Sequence, residues 1–494
     1  MPEDTRKDQA ADPSRAELPV LFELGSPGLT GVSLPASDVP TADRAHAIPA
    51  ELLADTVPPL PEIGELDVVR HYKRLSHRCF SIDENFYPLG SCTMKYNPRV
   101  NERVAALPGF MNLHPHQRDE DAQGMLELLH RLSGDLAEIA GLAEVTLQPA
   151  AGAHGEMTGL MIVGAYHADR GEHRAKVLTP DTAHGTNPAT CTVCGQAAEA
   201  VRSKPDGRLD LDDLRKKVDS DTAALMITNP NTVGVFDEQI ADIAEILHAQ
   251  GAQLYYDGAN MNAVLGITRP GDFGVDVMHF NTHKTFSTPH GGGGPGAGPV
   301  AVAEHLRPFL PIPYLAKDEQ GRIRWREDRP KSIGKVRSFY GQIGVLVRAY
   351  AYIRSLGRDG LLDVSRKAVL SANYLAVLLK DRFKMPFPRP YAHEFIMVPE
   401  FPNSPVTEGD VAKRLIDYGI HPPTMSWPIH HCLMVEPTET ESLSTLDRFV
   451  EVMLAIADEI EHHPDRLKSA PHTMPVRRLD EVAASRKPNV RWNM

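Results

Sequence analysis

Two stretches decide the fold: Tyr255-Tyr-Asp-Gly-Ala-Asn260, and Phe280-Asn-Thr-His-Lys-Thr-Phe286 followed by Pro289-His-Gly-Gly-Gly-Gly-Pro-Gly296. Gln253–Tyr256 and Val275–Phe280 read as short buried strands, so Asp257 and Lys284 each stand just past a strand end. That carboxyl edge is where open α/β sheets place ligands. A lysine held there in apolar surroundings has a lowered pKa and forms an imine with an aldehyde cofactor. Pyridoxal phosphate needs a carboxylate against its ring nitrogen, because the protonated pyridinium is the electron sink. Residues 257 and 259 point to the same side of a strand, so Ala259 leaves room for a flat ring that Asp257 grips. Each residue alone has a blander reading, a solvated lysine at a strand terminus or an aspartate capping a turn. The pair favours the cofactor.

Working outward, further apolar runs occur at Glu144–Leu147, Lys176–Thr179 and Ala224–Thr228. A helix lies between the last of these and Gln253, with Asp237 to cap it, Ile240, Ile243 and Leu247 on one face, and Gly251 to end it. Leu126, Leu129, Leu132, Leu136, Ile139 and Ala140 recur at helical spacing. Short buried strands alternating with helices imply a mostly parallel sheet.

The loops after these strands carry the remaining candidates. Gln148-Pro-Ala-Ala-Gly-Ala-His-Gly-Glu156 precedes a helix expected from about Glu156 through Ala168. Small residues there, with Ala153, His154 and Gly155 as cofactor contacts, let backbone N–H groups and the helix dipole cradle a phosphate. His184, in Thr182-Ala-His-Gly-Thr-Asn-Pro188, is placed to stack on the ring face opposite Ala259. Asn229 is placed to bond the cofactor's ring oxygen or to support Asp257. Thr282 and His283, beside the lysine, are further candidate contacts, His283 also as a proton relay.

Five boundaries follow from composition and periodicity. Residues 1–60 are a Pro-rich arm, its first part disordered. Residues 61–125 hold a helix at Leu66–Leu75 and the loop Asn85-Phe-Tyr-Pro-Leu-Gly-Ser-Cys-Thr-Met-Lys-Tyr-Asn-Pro98. Residues 126–344 form the large cofactor domain. Residues 345–463 form a small α+β domain with a helix to Leu356, glycines at 357 and 360, and a second helix near Ser365–Lys380. Strands at Glu394–Val398 and Cys432–Val435 flank a helix at Val411–Tyr418, and a polar tail occupies 464–494.

The net charge of −13 argues against a nucleic-acid or anionic-membrane partner. No run of eighteen apolar residues occurs, and the first twenty residues lack an apolar h-region. The five cysteines, Cys79, Cys92, Cys191, Cys194 and Cys432, are too sparse for a disulfide framework. A cytoplasmic protein is expected. Cys191-Thr-Val-Cys194 has metal spacing but no second pair, and His114-Pro-His116 and His430-His431 lack acidic companions, so no metal is expected.

Taken in order, these motifs resemble the glycine decarboxylase P-protein family of the glycine cleavage system. The resemblance runs from about Tyr87 to Pro437. It rests on Pro88-Leu-Gly-Ser-Cys-Thr-Met-Lys95, Ala153-His-Gly-Glu156, Ala183-His-Gly-Thr-Asn-Pro188, Asp257-Gly-Ala-Asn-Met261, Asn281-Thr-His-Lys-Thr-Phe286 and Pro423-Thr-Met-Ser426 before Glu436-Pro-Thr-Glu439. It implies the aspartate-aminotransferase-like fold type I, with a Schiff-base lysine at Lys284, and the second subunit of the split, two-subunit form. Family membership implies subunit 1 as partner, two of each subunit in a heterotetramer, and encounters with the lipoylated H-protein. The implied reaction is decarboxylation of glycine with transfer of the aminomethyl group to the lipoyl arm, Ser91, Cys92 and Thr93 lining the substrate's side.

Two rivals remain at the level of sequence. Thr282-His-Lys-Thr285 also resembles the lysine motif of serine hydroxymethyltransferase, so an aldolase-type enzyme on the same fold is one. The other is a silent subunit that only completes a partner's site; Lys284, Asp257 and His184 argue against it.

Overall fold

The short apolar runs become the strands of one sheet because each is buried on both faces. The computed structural model describes residues 18–56, 59–291, 296–387, 390–402 and 404–490. Its seven-stranded sheet comprises β1 (Glu144–Thr146), β2 (Lys176–Pro180), β3 (Ala197–Val201), β4 (Thr222–Ile227), β5 (Gln253–Gly258), β6 (Val277–Phe280) and β7 (Val300–Val302), in the order β1-β7-β6-β5-β4-β2-β3. Pairs β2/β3, β2/β4, β4/β5 and β5/β6 are parallel; β7 runs antiparallel to both β1 and β6. Every residue of β4, β5 and β6 is buried, the continuous burial expected of strands covered by helices on both faces.

Helices Gln123–Ala140, Gly152–Asp169 and Ile240–Ala249 supply that cover. The Gly152–Asp169 helix comes unusually close to the sheet. A Cβ on Gly159 would lie 2.4 Å from the Tyr255 ring, and one on Gly155 would lie 2.8 Å from the Gly298 carbonyl. Parallel strands joined by such helices bring all their carboxyl ends to one edge, so the loops after β2, β4, β5 and β6 meet there.

Several boundaries differ from the sequence reading. The helix expected from Glu156 starts at Gly152, so Ala153, His154 and Gly155 sit inside its first turn. Asp237 does not cap the Ile240–Ala249 helix, whose N-cap is Gln239; its carboxylate instead accepts the Leu209 and Gln239 N–H groups. Strands β3 and β7 were not foreseen: Ala-Ala-Glu-Ala-Val is a weak strand former on an exposed edge, and Val-Ala-Val is too short for a pattern.

C-terminal to the sheet, residues Ile343–Leu379 run as helix broken at Gly357, whose φ of 62° and ψ of −172° end one helix and begin the next. A three-stranded antiparallel sheet follows, from β10 (Phe395–Met397), β11 (Thr424–Met425) and β12 (Leu433–Val435) in the order β10-β12-β11. Helices Glu408–Asp417 and Leu443–His462 cover it, with Phe395, Phe449 and Met453 in the core between. A hairpin of β8 (Tyr314–Lys317) and β9 (Ile323–Arg326) lies between the two sheets in sequence.

The chain divides into two compact units, one of residues Met1–Glu84 with Pro471–Met494 and one of Asn85–Ala470. The first holds the Glu65–Ser76 helix, close to the one expected at Leu66–Leu75, with mostly irregular chain around it. Within it the Ser26 N–H bonds the Glu62 carbonyl at 2.8 Å and the Gly28 N–H bonds the Glu62 carboxylate. The expected disorder of the first residues falls on 1–17, outside the described residues, as do Gly292–Pro295 of the glycine run. No helix among the described residues is long and apolar enough to cross a membrane.

Candidate active site

A cavity of about 220 Å³ opens at the carboxyl edge of β2, β4, β5 and β6. Asp257, the penultimate residue of β5, is 4% exposed within it. Its carboxylate accepts the Asn187 side-chain amide at 3.0 Å and the Ala259 N–H at 3.0 Å, and His279 Nε2 of the adjacent β6 stands 3.3 Å away. Burial pushes the Asp257 carboxyl upward, but His279, Asn187 and Lys284 outweigh it and hold it below the ordinary range. Asp257 is therefore an anion in the interior, the state a pyridinium partner requires.

Lys284 follows β6, and its Nζ donates to the Ser91 carbonyl at 2.7 Å. That carbonyl belongs to the loop after Asn85, where Ser91 and Thr93 both take left-handed backbone, with φ of 60° and 51°. Non-glycine residues stay in that region only when their surroundings over-determine them. Here the surroundings are the small sheet: Gly90 N–H bonds Met434 O, Thr424 Oγ1 bonds Gly90 O, and Thr93 bonds Glu436 through both its N–H and its hydroxyl.

His184 lines the cavity with its Nδ1 2.8 Å from Thr186 Oγ1, and Thr186 and Thr190 hydroxyls both donate to buried Glu156. Burial, then Lys284, lowers the His184 pKa, so its ring is neutral and flat-faced. His283, beside the lysine, is pushed down to about 3 by burial, His290 and Lys284. A proton relay at neutral pH is a poor assignment for a ring so hard to charge.

The sequence candidates thus separate into two groups. Lys284, Asp257, Ala259, His184, Ala153, His283 and Ser91 line the cavity. Six others are not among the residues that line it. Asn229 spends its amide on Asp237, accepting its N–H at 2.8 Å and donating to its carbonyl at 3.1 Å; Asn187, not Asn229, supports Asp257. His154 Nδ1 accepts the Ala150 N–H, which holds the turn before the helix. Gly155 is the close approach to the sheet described above. Thr282 is fully buried, its hydroxyl within 3.4 Å of Ala297 O and accepting from Thr288. Thr93 is committed to Glu436, and Cys92 is half-buried, its thiol pushed up by burial.

Residues that reasoning from sequence passed over include Glu156, Asn187 and Asn281, all inside motifs quoted for the resemblance, and His393 and Glu394, for which no local pattern existed. Asn281 Oδ1 is buried with no hydrogen-bond partner, beside Gly152, where a Cβ would lie 2.2 Å from it. Among the described residues, two groupings of acids and histidines are dense enough to hold a cation, Glu156 with Asp257 and His279, and His393 with Glu394 and Glu436. His431, expected to lack an acidic companion, pairs with Glu408 at 3.2 Å.

Residues 364–474 match the family described as Glycine dehydrogenase, C-terminal domain, and residues 160–308 match Aminotransferase class-V. A probable glycine dehydrogenase (decarboxylating) subunit 2 of Bacillus licheniformis is 53% identical over 477 residues, 96% of this chain and 98% of its own. One of the same description from Chlorobium phaeobacteroides is 52% identical, over 95% of this chain and 98% of its own. The chain belongs to the family of glycine dehydrogenase (decarboxylating) subunit 2.

Members of this glycine dehydrogenase family are pyridoxal-phosphate enzymes, and a second subunit has a subunit 1 as its partner. The fold is shared with a glycine decarboxylase P-protein of the glycine cleavage system in inhibitor-bound form, at TM-score 0.69 and 21% identity over 82% of this chain and 94% of that one. A cysteine desulfurase from Thermococcus onnurineus shares it at TM-score 0.59 and 19% identity, over 76% and 95%. The fold type I architecture that the resemblance implies is the one these relatives have.

Proposed function

We propose that this chain is the catalytic, cofactor-bearing subunit of a two-subunit glycine dehydrogenase (decarboxylating), with pyridoxal phosphate attached at Lys284. The observation that carries the reading is the buried anion Asp257 in one cavity with Lys284 Nζ, at the ends of neighbouring parallel strands. The cavity fits the cofactor on its own terms. Asp257 would hold the ring nitrogen, His184 would offer a neutral flat face, and Ala259 would leave clearance opposite. Backbone N–H groups at the start of the Gly152–Asp169 helix would receive the phosphate.

When bound, the cofactor withdraws the electron pair left by loss of CO₂. The protein's own residues do the rest by binding and orientation. Ser91 O holds Lys284 Nζ in position, Asn187 and His279 keep Asp257 ionised, and Glu156 fixes Thr186 and through it His184. The substrate is glycine, and the aminomethyl group passes to the lipoyl arm of H-protein, in an assembly of two of each subunit. Neither rival gains a specific observation.

Borohydride reduction of the purified two-subunit enzyme, followed by peptide mass mapping, tests the assignment. The cofactor is expected on Lys284, and Lys284→Ala is expected to abolish both labelling and glycine–bicarbonate exchange. Label on another lysine, or full exchange by Lys284→Ala, would sink the proposal.

A further inference from the structure

The cavity around Lys284 has a wall that the reading above leaves unused. His393 and Glu394, just ahead of β10, line it, and each is 3% exposed. Neither ring nitrogen of His393 has a hydrogen-bond partner, and its Nε2 stands 3.9 Å from Glu394 Oε1. Stranding both nitrogens in the interior is unfavourable unless a ligand supplies what the chain does not. Among the described residues lining this cavity, Lys284 is the only lysine or arginine.

Glu394 is one of two carboxylates at this wall. One atom each from His393, Glu394 and Glu436 lie within 4.8 Å of one another. Two buried carboxylates so close do not both ionise. Their donors decide which one does. Glu436 accepts from Thr93 N at 3.0 Å, Thr93 Oγ1 at 2.6 Å, Asn260 Nδ2 at 3.0 Å and Asn262 Nδ2 at 3.3 Å. Glu394 accepts from Ser91 N at 2.7 Å. Glu394, with the fewer donors, is the one that stands as a carboxylic acid with an O–H to donate. Burial first, then Glu436, pushes its carboxyl well above the ordinary range, against the pull of Lys284 and the Ser91 N–H. Burial likewise lowers the His393 pKa, so its ring is neutral with one N–H to give.

An amino-acid substrate whose amine engages the cofactor at Lys284 must place its carboxylate in this same cavity. A guanidinium there would stabilise the very charge that decarboxylation has to discharge, and binding of that kind lowers KM without raising kcat. Neutral donors fix the direction of the carboxylate while leaving its charge poorly solvated.

We propose that His393 and Glu394, the latter as a carboxylic acid, form the subsite for the substrate's carboxylate, a pair of neutral donors in place of an arginine. This rests on the reading of the chain as a glycine decarboxylase. Ser91 couples the subsite to the reacting centre, because its N–H bonds Glu394 while its carbonyl bonds Lys284. Glu436 is a positioning residue that acts by keeping Glu394 neutral.

The test titrates the holoenzyme, assembled with its partner subunit, with glycine and with methylamine, which has the amine but no carboxylate. The cofactor's visible band reports binding, and glycine–bicarbonate exchange reports kcat and KM. Glu394→Ala is expected to weaken glycine binding by about 10- to 100-fold, the loss of a hydrogen bond to a charged group. Methylamine binding should stay within about threefold, since it shares none of the contact. Glu394→Gln, which keeps a neutral donor, should recover part of the glycine affinity, and His393→Ala should follow Glu394→Ala. Infrared difference spectra should show a neutral carboxyl band in the wild type that Glu394→Gln removes. Parallel loss of glycine and methylamine would overturn the subsite in favour of a structural role, as would unchanged glycine affinity in Glu394→Ala or absence of the neutral carboxyl band. A wild-type enzyme indifferent to glycine would remove the glycine decarboxylase reading itself; a responsive wild type with indifferent variants removes the subsite alone.

Discussion

Asp257 keeps its charge inside the protein because three groups on three different segments meet it: Asn187, the Ala259 N–H and His279 of the neighbouring strand. Replacing it by Asn removes the charge while keeping the size. Asp257→Asn is expected to slow glycine–bicarbonate exchange by roughly 100-fold or more, the scale set by losing one preorganised electrostatic contact at a reacting centre. Borohydride labelling of Lys284 should survive, since the lysine's attachment does not require the carboxylate; steady-state exchange and mass mapping on one preparation separate the two. Lys284 and Asp257 were legible in the sequence because strand-end position and chemical type are both local. Asn229 was misassigned because an amide two residues past a strand faces either into the cavity or back into its own loop. Only the position of Asp237 decides that.

Among the elements, the Gly152–Asp169 helix shows how backbone proximity is written in glycines. Gly155 faces the Gly298 carbonyl and the His279 Cβ, which a new Cβ would approach to 2.8 and 3.0 Å. Gly155→Ala is expected to destabilise the protein by about 1–3 kcal/mol, the usual consequence of overpacking, visible as a lower Tm. Because His279 also faces Asp257, cofactor affinity should fall with stability; a variant as stable and as tightly loaded as the wild type would contradict the packing argument. The early start of this helix escaped the sequence reading because a run of Ala, Gly and His reads equally as a loop. Strand β7 escaped for a related reason: three residues carry no period, and its antiparallel place between β1 and β6 comes entirely from its neighbours.

Across the whole body of residues Asn85–Ala470, the loop carrying Ser91 is locked to the small sheet by ionic and hydrogen-bonded contacts. Lys95 Nζ, with its side chain 1% exposed, pairs with Glu439 at 2.6 Å and reaches Tyr352 OH at 3.1 Å. Burial works against its charge, but Glu439 and Tyr352 outweigh it and hold its pKa above the ordinary lysine value. Lys95→Met leaves Glu439 buried without a cation, so a loss of about 3–5 kcal/mol is expected. Adding Glu439→Gln should restore a good part of that loss. Denaturant unfolding of the two single variants and the double variant measures the coupling, and simple additivity would show that the pair does not latch the loop.

The sequence by itself determined the strand-and-helix alternation, the positions of Lys284 and Asp257 at strand ends, and the family to which the chain belongs. These follow from local periodicity, from residue types with few alternative uses, and from motifs carried whole. Tertiary structure alone decided which loop residues face the cavity. It turned Asn229, Thr282 and Thr93 away, joined Asn187 to Asp257 across 70 residues, and brought Glu394, just ahead of β10, against Ser91, 303 residues earlier in the chain. The physical reason is that a side chain's direction and charge state depend on partners from distant segments. No window of sequence contains those partners together.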